Sequence, residues 1–151
     1  MQRRYDDLYV DTTDTGIALH SAGIGYLLAL RIKANVADNS AGLLTYADLV
    51  TAHRLNHCMT FFNFRGMPVA YVVWGLLAAD VEASLMHSGR HSFHHSEWNE
   101  GTSLWIIEVC APYNNARKAL RTACKMLLPG GGDLTCVRTR RGVITTARLN
   151  L

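Results

Sequence analysis

One carboxylate inside an apolar run constrains this chain more than any other feature. Leu104–Cys110 (L-W-I-I-E-V-C) is too short for a buried helix and rich in β-branched residues, so it reads as a central strand. Glu108 is its one charged residue. A carboxylate in a strand fit for burial on both faces costs several kcal/mol unless it is paired or protonated. It belongs on a solvent-facing edge or in a site built for chemistry. The polar turn Asn99–Ser103 leads into the strand, Pro112 stops it, and Asn114-Asn115 can turn and cap a helix over 116–128. Strand, turn and helix with an acid near the strand end is a common way to present a reactive group.

The other elements follow from changes of period. Residues 1–15 are polar and contain D-T-T-D-T, the pattern of a loose arm that ends in an N-cap. Apolar positions at 17, 19, 24, 27, 28, 30 and 32 predict a helix over 17–34, and N-V-A-D-N-S-A-G (35–42) a break. A second helix spans roughly 43–57. Residues 59–64 and 67–74 form a β-hairpin about Arg65-Gly66, with Pro68 tolerated at a strand start. A helix over 76–86 and a histidine-rich stretch lead to the Glu108 strand, and strands at 133–138 and 142–149 close the chain. The result is an α+β fold, a sheet with helices packed on it, in a single domain over 1–151.

Charge and cysteine usage exclude several classes. A formal charge of +3 with no basic run interleaved with aromatics gives no case for nucleic acid. Arg31 and Lys33 end the apolar stretch 23–30 too early for a membrane span, and the acidic residues before it do not suit a signal peptide. Cys58, Cys110, Cys124 and Cys136 lie far apart without a C-x-x-C pair and read as reduced core residues of a cytoplasmic protein.

Each candidate site has a plain structural alternative. His87, His91, His94 and His95 have helical spacing, but Gly89 and three serines weaken the helix and no other ligand completes a shell, so no metal site is expected. His53 and His57 share a helix face before the hairpin, and His20 lies early in the first helix; each is a catalytic candidate or simply a packed residue. Gly130–Gly132 follows a helix and precedes a strand, the reverse of a phosphate cradle, and reads as a C-cap. Arg117, Lys118, Arg121 and Lys125 lie along one helix, either a solvated face or a dock for an acidic partner.

W-N-E-G-T-S-L-W-I-I-E-V-C-A-P-Y resembles a stretch of the toxin-activating lysine acyltransferases of RTX toxin operons, whose pattern ends W-F-I-D-x-x-A-P-[FY]. Upstream, Pro68-Val69-Ala70-Tyr71-Val72-Val73-Trp74 matches their P-V-[AG]-[YF]-x-x-W strand at the corresponding distance. The likeness runs from about residue 43 to about 148.

That resemblance implies a GNAT-like fold with a central, mostly antiparallel sheet flanked by helices. It also implies fatty acyl transfer from acyl carrier protein, carrying an acyl-phosphopantetheine, to a lysine amine of a protein or peptide. Glu108 falls on the family's aspartate position; the family's S-P-x-H-R falls on Asn35–Ser40, which contains no histidine. The catalytic set expected from this match is Glu108 with His57, or else His20, as the imidazole. The donor arm would be held by Val109, Cys110 and Ala111, with Asn115 and Arg117 at the next helix start. The turn 111–117 has no glycine, which suits a carrier-protein donor and counts against a small-amine acetyltransferase that uses CoA. No cofactor is expected to be bound, and a homodimer is left open. The alternative is a catalytically degenerate relative that binds a carrier protein, acyl chain or peptide.

Overall fold

The computed structural model describes residues 2–5, 8–11, 17–38, 42–88, 92–140 and 143–150, with side chains at 8, 21–35, 42–88, 92–138 and 145–149. Its elements are β1 (Gln2–Tyr5), β2 (Leu8–Asp11), α1 (Ile17–Asp38), α2 (Tyr46–Arg54), β3 (Cys58–Phe62), β4 (Pro68–Leu77), α3 (Ala79–Ser88), β5 (Ser103–Cys110), α4 (Ala116–Leu127), β6 (Asp133–Arg140) and β7 (Val143–Asn150). A 3-10 turn, His95–Trp98, precedes β5. The seven strands form one sheet in sequence order, antiparallel throughout except for β5 against β6. That parallel pair needs a crossover, which α4 supplies.

The expected α+β architecture is the observed one, and its differences have local causes. Residues 2–5 and 8–11, expected as part of a loose arm, form a hairpin that pairs with β3. Strands of four residues are too short to show a clear periodicity. Helix α1 continues through Asn35 to Asp38 instead of breaking after Ala34. Helix α2 starts later than expected because Thr45 and Asp48 form a reciprocal capping box, Thr45 Oγ1 accepting from the Asp48 amide and Asp48 Oδ2 from the Thr45 amide. It also ends earlier: Asn56 takes φ 59°, and the chain turns before His57.

Helices cover both faces of the sheet. On one, α1, α2 and α3 bury Leu27, Leu30, Leu49 and Leu85 against Tyr71, Val73, Trp105 and Ile107. On the other, Ala119, Ala123 and Cys124 of α4 lie over Val72, Ile106 and Leu134. Between β4 and β5 the register slips, Val73 facing Glu108 while Trp74 faces Ile106. Ile107 is the extra residue of a β-bulge. Strict alternation would put Glu108 on the α4 face beside Ile106; after the bulge it meets Arg31 of α1 and Tyr71 on the opposite face. Beyond Trp105–Thr135 and Ile106–Cys136, β5 and β6 show no further paired residues among those described, although both strands continue.

The approach to β5 depends on Gly101, where an added Cβ would lie 1.8 Å from the Leu77 carbonyl oxygen. Gly25, in α1, has open space at the same point. Gly101→Ala is therefore expected to lower stability by about 1–3 kcal/mol, and Gly25→Ala to raise it by roughly 0.5–1 kcal/mol through helix propensity. Urea unfolding of the two variants checks the pair; similar effects would contradict the contact at Gly101.

Candidate functional site

The bulge delivers Glu108 into a hydrogen-bonded cluster. Its Oε1 accepts from Arg31 Nη1 in an ion pair and from the Tyr71 hydroxyl at 2.6 Å, and its Oε2 accepts from the Leu44 amide at 3.0 Å. Arg31 also donates from Nη2 to the Leu44 carbonyl at 2.6 Å and from Nη1 to Tyr71 at 3.2 Å. The Arg31 and Glu108 side chains are each 8% exposed, so the pair is buried. Burial by itself would lower the Arg31 pKa, but the charge of Glu108 and the Tyr71 bond leave it raised above its ordinary value. Tyr71 is held as a neutral phenol, its pKa pushed up by burial and by the neighbouring carboxylate.

Four parts of the chain meet in this cluster. Arg31 lies on the buried stripe of α1, four residues after Leu27. Tyr71 comes from β4, Glu108 from β5 and Leu44 from the segment that leads to α2. Gly42 lies against the guanidinium: a Cβ on it would fall 2.4 Å from Arg31 Cζ and displace it. Arg31 and Glu108 also line a cleft of about 470 Å³, together with Ala34, Gly42 and the strand end Val109–Ala111.

The expected residues distribute unevenly about this cleft. Glu108, Val109, Cys110 and Ala111 all line it. Asn115 sits between two lining residues, Asn114 and Ala116, as the N-cap residue of α4, although its side chain makes no capping bond. Arg117 is exposed in the first turn of α4. His57 lies past the end of α2, its Nδ1 3.2 Å from the Trp74 carbonyl and its ring against Trp74 and Trp98. Burial lowers its pKa and so favours a neutral imidazole, an effect that the Trp74 bond partly offsets. Its hydrogen bond thus goes to β4, while those of Glu108 come from Arg31, Tyr71 and Leu44. His53 packs against α1 at Gly23, where a Cβ would meet its ring at 2.4 Å. His20 falls in the first turn of α1, and its side chain lies outside the described residues.

The cation beside the carboxylate is therefore a guanidinium. Sequence reading passed over Arg31 as the charge that ends an apolar stretch, although its spacing from Leu27 and Leu30 already placed it on the buried stripe. Of the histidine-rich stretch, His94 caps the 3-10 turn, while His91 lies outside the described residues. Among the described residues no three His, Cys, Asp or Glu side chains form a metal-binding group.

Residues 24–143 match the RTX toxin acyltransferase family. The chain belongs to this family. Related proteins include a lysine-acyltransferase, RtxC, of Vibrio cholerae serotype O1, 26% identical over 97 residues that cover 64% of this chain and 61% of the relative. Another is a protein-lysine palmitoyltransferase, CyaC, of Bordetella bronchiseptica, 36% identical over 87 residues, 50% of this chain and 46% of the relative. The matches thus take in about half to three-fifths of these relatives' lengths. Among solved structures, the GNAT-like decarboxylase GphF, in complex with isobutyryl-CoA, superposes with a TM-score of 0.50 at 19% identity. That match covers 77% of this chain and 61% of GphF, and it shows a shared GNAT-like fold.

In this family member the buried ion pair can be separated from the packing around it. Arg31→Met leaves Glu108 as an uncompensated buried charge and is expected to cost about 3–5 kcal/mol. Arg31→Met combined with Glu108→Leu removes both charges and should recover most of that loss. Denaturant unfolding of the single and double variants measures the coupling; purely additive losses would mean that the pair is not what ties α1 to β5.

Proposed function

We propose that this family member transfers a fatty acyl group from the phosphopantetheine thioester of acyl carrier protein to a lysine amine of a protein or peptide. The observation that carries the reading is Glu108, a carboxylate fixed at the lining of a cleft formed by α1, β5 and the turn into α4. Both RtxC and CyaC are named as lysine acyltransferases, which gives the acceptor class. The amine nitrogen bonds to the thioester carbonyl carbon, the C–S bond breaks, and the thiol leaves on the carrier.

A lysine arrives protonated, with a reference pKa near 10.4, so a proton must leave before attack. Among the described residues, Glu108 Oε1 has two donors already, whereas Oε2 has the Leu44 amide alone and keeps an acceptor position. Oε2 is accordingly the atom assigned to meet the ammonium. Val109, Cys110 and Ala111 are assigned to the donor arm, since they line the same cleft next to the carboxylate. The free cysteines suit a reducing compartment such as the cytoplasm.

A second reading, a binder without transferase activity, draws on the same cluster: the carboxylate is already held by a guanidinium, a phenol and an amide, bonds that tie α1 to β5 whether or not a proton is transferred. Mass spectrometry of a candidate acceptor incubated with acylated carrier protein separates the two. Acyl-lysine is expected with the wild-type protein, falling by about 10²-fold or more in Glu108→Gln. Glu108→Asp, which keeps the charge, should retain more activity, and melting temperatures of both variants identify losses due to unfolding. Full transfer by folded Glu108→Gln would remove the role assigned to the carboxylate.

Helix α4 is assigned to carrier docking. Arg117, Arg121 and Lys125 are exposed along it, and its opposite face is buried under Ala119 and Ala123. A basic helix steers an acidic carrier, and that association weakens as salt rises. Arg117→Glu with Arg121→Glu should reduce carrier binding at low salt with little change in melting temperature, as read by calorimetry; unchanged affinity would overturn the docking assignment.

A further inference from the structure

One wall of the cleft plays no part in the scheme above. Arg31, Ala34 and Asn35 form it from a single face of α1, opposite the strand end Val109–Ala111. Among the described residues, Asn35 Oδ1 is buried and has no hydrogen-bond partner. The same holds for Oδ1 of Asn115, between the lining residues Asn114 and Ala116. Buried acceptors without partners are uncommon because each forfeits its bonds to water.

We infer that Asn35 is a specificity-determining residue of the cleft, its Oδ1 accepting an N–H from a secondary amide of the bound donor arm. The inference rests on the acyl-transfer reading, in which that arm is pantetheine. Pantetheine is an extended chain with secondary amides, and each offers one N–H as donor. Asn115 Oδ1, on the α4 side, is placed to serve a second such donor. A buried acceptor that is satisfied only on binding rejects chains without an N–H, because they leave it unpaired. The thioester and hydrocarbon portions of the substrate have no N–H to offer, so the residue fixes which segment of the arm lies beside α1.

Calorimetry with pantetheine tests this, using the wild-type chain, Asn35→Leu, and a pantetheine analogue whose amide N–H groups are replaced by ester oxygens. Asn35→Leu is expected to weaken pantetheine binding by about 5- to 10-fold, the scale of one hydrogen bond. The ester analogue should bind the wild type more weakly than pantetheine does, and lose less on going to Asn35→Leu. The melting temperature of Asn35→Leu should not fall, because an unpartnered acceptor is replaced by an apolar group of similar size. Equal pantetheine affinity in the two proteins would overturn the inference. So would a lowered melting temperature with additive effects of the residue and the analogue, which would mark a structural role. Weakened binding of an acceptor peptide, with pantetheine unaffected, would overturn it in favour of a peptide N–H. If the wild type itself fails to bind pantetheine, the donor assignment falls and this inference with it.

Discussion

The ion pair between Arg31 and Glu108 connects what would otherwise be separate layers. Arg31 belongs to the helix packed on the sheet, Glu108 to a central strand, and Leu44, which bonds to both, to the segment between α1 and α2. Neither charge is tolerable there without the other, since each side chain is 8% exposed. The surrounding backbone is shaped to make the contact. The β5 bulge turns Glu108 toward α1, and Gly42 leaves room for the guanidinium. A buried pair is weak evidence of net stability, but it is strongly selective for geometry. Any slip of α1 along the sheet would strand two charges in the core.

Much of this was legible in the chain before its structure. The apolar strand with a single acid, the hairpin before it and the helix after Pro112 all follow from period and turn chemistry, and the strand-end residues Val109–Ala111 do line the cleft. What escaped has a physical reason in each case. The bulge inserts one residue, Ile107, into a run apolar on both faces, so alternation carries no mark of the slip. Arg31 reads as a terminator only if charge is taken to mean exposure; its position four after Leu27 says otherwise. The first hairpin is short, and its pairing with β3 depends on contacts distant in sequence. His57 was placed at the end of a helix, but Asn56 in the left-handed region turns the chain and sends the imidazole to Trp74.

The electrostatic character of the cleft follows from the same pair. With Arg31 and Glu108 neutralising one another and Tyr71 kept as a phenol, its floor carries little net charge. A neutral amide-bearing arm can enter such a site without displacing a counter-ion, whereas a free anion gains little from a guanidinium already committed to three acceptors. Charge recognition is then left to α4, where Arg117 and Arg121 are exposed. There screening is strong and each contact contributes little, so these residues affect encounter rate more than they hold a complex. Selection inside the cleft must come from shape and from hydrogen bonds that the free protein leaves unmade. In the proposed reaction this divides the work in space: a basic surface finds an acidic carrier, a neutral slot measures its arm, and one carboxylate oxygen with an open position meets the amine.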